Sequence, residues 1–218
     1  MISAVIFDMD GVIVNSEPVY QQIEKEMFKD LGIQINPEIY RTFVGLRTLE
    51  MWRSIVDRFQ LLHHPADLER EEEKKYLEWV NKKNGMVPVD GSIQLIRLLK
   101  DHGYRLALAS SNSSMAIKTV LEKFEINVYF QITMSGEQVE KSKPDPEIFI
   151  KTAESLGYDP ENCLVIEDSS NGVKAARKAG MKCIAYENRE TGIQDLSEAD
   201  LIVRDLHKIT PGIIQNHF

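Results

Sequence analysis

From Met86 onward, short apolar runs alternate with segments of helical period. "IQLIRLLKDHG" reads as a helix closed by Gly103, "YRLALAS" as a buried strand, "MAIKTVLEKFEI" as a helix and "FQITMS" as a strand. "PEIFIKTAESLG" continues as a helix closed by Gly157, "CLVIED" as a strand, and "GVKAARKAG", "KCIAY" and "DLIVR" complete the series. Such alternation specifies an α/β fold, a parallel Rossmann-like sheet with helices on both faces. A further apolar run, Val5 to Phe7, predicts a strand over residues 4–8 that has no parallel partner nearby in sequence. That strand must join the later sheet. The segment between is therefore an insertion placed just after the first strand.

The insertion is helical throughout. Ser16 is the expected N-cap of a helix running to Leu31 and ended by Gly32, and further helices are predicted over 37–43, 48–60 and 66–83. In the last of these, Glu71 with Lys75 and Glu78 with Lys82 stand four residues apart, which marks the run "EREEEKK" as a solvated face. Trp52 and Trp79 fall at helical spacing and are expected to pack this helical unit. His63 and His64, before Pro65, read as a solvated pair, since no third metal ligand is spaced nearby. The domain organisation predicted is a catalytic core of residues 1–14 and 85–218 with a helical cap of residues 15–84.

In an open parallel sheet the carboxyl ends of the strands form the rim where ligands bind. Strand one delivers Asp8 and Asp10 to that rim, "LALAS" delivers Ser110 followed by Ser111 and Asn112, and "LVIED" delivers Glu167 and Asp168. The loop after "ITMS" carries Lys143, held extended by Pro144, with Asp145 as a candidate N-cap and Pro146 at the first helical position. Asp-x-Asp after a strand is by itself no more than a polar turn, and two acids at a helix start can simply answer the helix dipole. The joint placement is what discriminates. Oxygen donors around a hard cation suit Mg²⁺, which would hold Asp8 and Asp168 together and bridge them to a substrate phosphate. The set offers carboxylates for a hard cation in Asp8, Asp10, Glu167 and Asp168, polar groups in Ser110, Ser111 and Asn112, and one fixed positive charge in Lys143.

Charge narrows the partners. The net charge of -8, with acids and bases interspersed, argues against nucleic acid or an anionic membrane, and leaves a small molecule as the expected partner. A charged strand end within ten residues of Met1 leaves no room for a signal peptide, and no apolar run approaches the ~18 residues of a membrane span. A cytoplasmic protein is expected, with Cys163 and Cys183 as reduced core residues.

Taken in order, "DMDGVIVNSE", the Ser110 of "LALASSNS", the Lys143 of "KSKPDPEIF" and "VIEDSSNGVKAARKAG" resemble the four motifs of the haloacid dehalogenase superfamily, across nearly the whole chain. The insertion after the first motif is similar to the small-cap branch that contains phosphoglycolate phosphatases and β-phosphoglucomutases. The resemblance implies that Asp8 attacks phosphorus and becomes an aspartyl phosphate, that Asp10 serves as acid and then base, and that Asp10 also binds the metal through its backbone carbonyl. It implies that Ser110 and the backbone after it hold phosphoryl oxygens, that Lys143 neutralises nucleophile and transferring group, and that Glu167 is either a ligand or a holder of one.

Departures from the mutase pattern favour a phosphatase acting on a small phosphorylated metabolite, a sugar phosphate among the candidates. Where β-phosphoglucomutases carry a histidine this chain has Tyr20, and in place of their lysine it has Ser113; Arg47 sits one place off the alignment, and Asn15 replaces an aspartate. A phosphosugar mutase is the alternative. A phosphoacceptor receiver domain shares the acids, hydroxyl, lysine and Mg²⁺, but has no need of about 70 residues over the rim, where a hydrolase gains from a lid. Substrate and oligomeric state are written in none of these motifs.

Overall fold

The computed structural model describes residues 1–43, 46–82 and 85–218. Six strands form one parallel sheet: β1 (Ala4–Phe7), β2 (Arg105–Ser110), β3 (Ile132–Ser135), β4 (Cys163–Glu167), β5 (Lys182–Tyr186) and β6 (Leu201–Val203), in the order β3-β2-β1-β4-β5-β6. The early strand does join the later ones, and it takes the middle. Ala4 pairs with Arg105 on one side and with Cys163 on the other.

Four helices follow β1 in the chain: α1 (Glu17–Asp30), α2 (Pro37–Arg41), α3 (Thr48–Phe59) and α4 (Pro65–Asn81). After them come α5 (Ser92–Asp101), α6 (Ser114–Lys123), α7 (Glu147–Leu156), α8 (Ser170–Lys178) and α9 (Pro211–His217). Period-two alternation splits β1 between two cores. Val5 and Phe7 bury into one with Leu106, Leu108, Leu164 and Ile166, under α5, α6 and α9. Ala4 and Ile6 bury into the other with Ala107, Ala109 and Val165, under α7 and α8. Cys163 and Cys183 are free, buried thiols of that second core, as expected. No helix of the described residues is long and apolar enough to cross a membrane.

Helices α1 to α4 pack through aromatic contacts. Tyr20 stacks on Tyr76 at 4.7 Å between ring centroids, and Phe28 meets Trp52 edge-on at 5.6 Å. The chain leaves the sheet and returns to it side by side: the Val89 N–H donates to the Ile13 carbonyl at 2.9 Å and the Asn15 N–H to the Val87 carbonyl at 3.1 Å. Over the rim, the Tyr20 hydroxyl donates to Asn112 Oδ1 at 3.1 Å and Ser113 donates to Glu73, while at the far end of α6 Lys123 Nζ donates to the Lys82 carbonyl at 2.8 Å.

Several local expectations shift. Ser16 stands at the N-cap of α1 without bonding the helix, and its buried hydroxyl, near Asp10, makes no hydrogen bond. Pro146, not Asp145, stands at the N-cap of α7, and Asp145 Oδ1 accepts the Glu147 N–H at 3.1 Å from one residue further back. Helix α4 closes at Asn81; the expected end at residue 83 and the core boundary at residue 84 adjoin or fall on residues outside the description. Lys82 is past the helix, so its ammonium lies over the Trp79 ring at 4.1 Å rather than pairing with Glu78. Glu71 does meet Lys75, at 3.8 Å. Glu72, in the middle of that charged run, is not on the solvated face: it is 1% exposed and accepts the Trp52 indole N–H. His63 and His64 are exposed, and His64 caps α4 through the Ala66 N–H.

Candidate active site

Each strand of the central part of the sheet ends in a residue that the next loop turns toward one place. The Asp8 N–H extends the pairing of β1 by donating to the Ile166 carbonyl at 3.0 Å, which fixes the direction of its side chain at the rim. The loop after it doubles back tightly, with the Gly11 N–H on the Val14 carbonyl at 2.8 Å. Gly11 has φ +74°, and a Cβ there would collide with the Asp168 carboxyl. Only glycine satisfies both demands.

Lys143 is the one cation packed among the described acids, 2% exposed. Its Nζ donates to Asp8 Oδ1 at 2.6 Å and to Glu167 Oε1 at 2.8 Å, and lies 3.4 Å from the Ala109 carbonyl. Phe149 of α7 covers its far side, with the ring centroid 4.9 Å from Nζ. The other oxygen of Glu167 accepts the Asp168 N–H at 2.8 Å, the Ser169 N–H at 2.7 Å and the Ser169 hydroxyl at 3.0 Å. Both Glu167 oxygens are thus committed to protein donors, and Gly172 of α8 is packed so closely against them that a Cβ would overlap the carboxyl. Of the two roles the sequence left open for Glu167, this geometry suits a holder of Lys143 and of the α8 start.

Asp10 lies across the opening from Asp8. Its Oδ2 accepts from Asn112 Nδ2 at 2.8 Å and from the Ser110 hydroxyl at 3.5 Å, while its Oδ1 is buried without a donor. The Asn112 N–H in turn donates to Ser110 Oγ at 3.2 Å, which ties the end of β2 to the loop beyond. Asp8, Asp10, Ser111, Asn112 and Asp168 line one cavity beneath α1 to α4. Ser110, Lys143 and Glu167 stand behind its floor.

Two residues of this floor escaped the sequence reading. Thr191 donates its hydroxyl to Asp168 Oδ2, and Asn188 Nδ2 donates to the Gly11 carbonyl at 2.8 Å and to Asn15 Oδ1 at 3.3 Å. Both lie in the loop after β5, so the rim argument applied to a fifth strand would have found them. The roof was missed as well: Glu17 and Glu24 of α1 and Glu72 of α4 line the same cavity.

Burial dominates the electrostatics. It pushes the Asp8 carboxyl up to about 8, against the charge of Lys143 and with the help of Glu167 and Asp10. It pushes Asp10 up to about 6, opposed by the Ser16 hydroxyl and Lys143, and holds Asp168 well above the carboxylate range, with Glu167 and Asp8 adding. Carboxyls this crowded need more positive charge than one lysine gives. Among the described residues no three His, Cys, Asp or Glu side chains form a ready metal cluster. The donor set is different in kind: two buried carboxylates, Asp8 and Asp168, on either side of the Gly11 turn, and a donorless Asp10 oxygen. All are hard oxygen donors, which fits Mg²⁺.

A family model described as haloacid dehalogenase-like hydrolase matches residues 5–186. The phosphorylated carbohydrates phosphatase of Thermotoga maritima is 30% identical over 184 residues, covering 83% of this chain and 83% of that protein. Hexitol phosphatase B of Escherichia coli is 31% identical over 190 residues, covering 84% and 82%. Among solved structures, β-phosphoglucomutase of Clostridium difficile superposes with a TM-score of 0.86 at 26% identity, over 100% of this chain and 97% of that one.

Proposed function

Because this chain belongs to the haloacid dehalogenase-like hydrolases and is a phosphoric monoester hydrolase, we propose that it cleaves a small phosphate ester, a sugar phosphate among the candidates, through an aspartyl phosphate on Asp8. The observation that carries this reading is the Lys143 bridge. It occupies Asp8 Oδ1 and is anchored behind by Glu167, so that Oδ2 is the oxygen left for in-line attack on phosphorus.

In the first step the Asp8 Oδ2–P bond forms as the P–O bond to the alcohol breaks. Asp10 gives its proton to the departing oxygen, and its donorless Oδ1 is the position for that proton. In the second step Asp10 takes a proton from water, water oxygen attacks phosphorus, and inorganic phosphate leaves with Asp8 restored. Lys143 and the donors after Ser110 offset the charge on the transferring group. Asp8, Asp168 and the Asp10 backbone carbonyl are the groups we assign to Mg²⁺, which when bound favours ionised Asp8 and screens phosphoryl oxygens. Helices α1 to α4 serve as a lid that keeps bulk water from the reacting centre.

A phosphosugar mutase is the second reading, on the strength of the likeness to β-phosphoglucomutase. Against it, Tyr20 spends its hydroxyl on Asn112 and Ser113 spends its own on Glu73, so neither offers a cation to a second phosphate. The test of the main reading is phosphate release from p-nitrophenyl phosphate and a panel of phosphorylated metabolites, with Mg²⁺ and with EDTA. We expect metal-dependent turnover that disappears in folded Asp8→Asn. Wild-type rates from that variant would refute the role of Asp8.

A further inference from the structure

The roof of the cavity carries acids that hydrolysis does not use. Glu24 is 5% exposed, and its Oε2 is buried and accepts no hydrogen bond. Glu72 is 1% exposed and has the Trp52 indole as its donor. Burial, with the charge of Glu72 adding, holds Glu24 well above the carboxylate range, and burial, with Glu69 adding, raises Glu72 to about 8. Tyr20, which stacks on Tyr76, lines the same space with Tyr40 and Phe43, and among the described residues lining it there is no lysine or arginine.

A buried carboxyl oxygen without a donor is costly, and a second buried acid lining the same cavity adds to the cost. A neutral polyol would supply donors but leave the charge problem unsolved. A second phosphate or a carboxylate would aggravate it. An ammonium group supplies three donors and the missing charge together, and aromatic faces attract cations. The floor has its own compensation in Lys143 and the groups assigned to Mg²⁺. Among the described residues lining this cavity the roof has no cation, Arg47 and Arg70 lining the adjoining cavity on the other side of Glu72, and Glu24 has only the Tyr40 hydroxyl.

Resting on the phosphatase reading above, we propose that the substrate's alcohol half carries a protonated amine, held against Glu24 and Glu72 while its phosphoryl group meets Asp8. The enzyme is then specific for aminoalkyl or amino sugar phosphates.

The test uses matched esters that differ in one group, amine against hydroxyl: phosphoethanolamine and 2-hydroxyethyl phosphate, 3-aminopropyl and 3-hydroxypropyl phosphate, glucosamine 6-phosphate and glucose 6-phosphate. We expect the amine of at least one pair to be favoured about tenfold or more in kcat/KM, the scale of one charge-assisted hydrogen bond. Glu24→Gln, which keeps the shape and removes the charge, should compress that ratio toward one. A ratio of one or less in every pair, or a preference that survives Glu24→Gln, overturns the proposal. If wild-type protein hydrolyses no ester, p-nitrophenyl phosphate included, the phosphatase reading itself fails. The amine site is then judged by calorimetric titration with ethanolamine and with ethylene glycol: saturable binding of the amine alone supports it, and equal or no binding overturns it.

Discussion

Glu72→Gln should make the protein more stable at neutral and alkaline pH than it is now. Burial, opposed by the Trp52 hydrogen bond and assisted by Glu69, lifts the Glu72 carboxyl from 4.5 to about 8. A carboxyl whose folded value is raised binds its proton more tightly in the folded state, so its stabilising contribution is complete below about 4.5 and disappears as pH rises through about 8. At about 1.4 kcal/mol per pH unit, that window bounds the loss at roughly 5 kcal/mol. Glutamine cannot ionise, and its side-chain oxygen can still accept the Trp52 N–H. The variant should therefore track the wild type near pH 4.5 and exceed it increasingly toward pH 8, by at least ~1 kcal/mol. Urea unfolding followed by tryptophan fluorescence at half-unit pH steps reads this directly. A difference that stays flat across pH, or widens in the opposite direction, refutes the assignment of Glu72 as a desolvated acid.

Lys143→Met should cost roughly 10²–10³-fold in turnover by removing a fixed donor at the developing charge. It should also destabilise more at pH 9 than at pH 5.5, because Asp8, already raised to about 8, loses a partner that matters only once it ionises; equal losses at both pH values in urea unfolding would contradict this. Gly11→Ala should destabilise by clearly more than Gly32→Ala: both have positive φ, but only at Gly11 does a Cβ meet another side chain, that of Asp168. Equal unfolding midpoints for the two variants would remove the collision argument. In ³¹P NMR with β-glucose 1-phosphate and a trace of glucose 1,6-bisphosphate, free phosphate should accumulate without glucose 6-phosphate, and the reverse would favour the mutase.

Most of the floor of the site was legible in the sequence; Asn188, Thr191 and the acids of the roof were not. Asp8, Ser110 and Asp168 follow apolar runs, and in a parallel sheet the ends of such runs converge whatever the loops do. Lys143 was legible for the same reason, as a rim-loop residue. Glu72 had the opposite signature. The four-residue spacing around it indicates solvent, and its burial depends on Trp52, twenty residues earlier on another helix. Glu24 was hidden likewise in an ordinary amphipathic helix. Helix periodicity reports which residues share a face, not which face a tertiary neighbour will cover.

The central place of β1 has a bearing on how the chain is made. Ala4–Phe7 precedes its partner Arg105–Ser110 by roughly a hundred residues, and its partner Cys163–Glu167 by more still. During synthesis this very apolar strand waits unpaired while α1 to α4, whose contacts are local, emerge from the ribosome and can assemble. Nucleation of the sheet is thus delayed until β2 appears. A slow stretch of translation placed after β2, or a chaperone that holds the early strand, would raise the yield of soluble protein more than either would for a fold whose middle strand is made next to its neighbours.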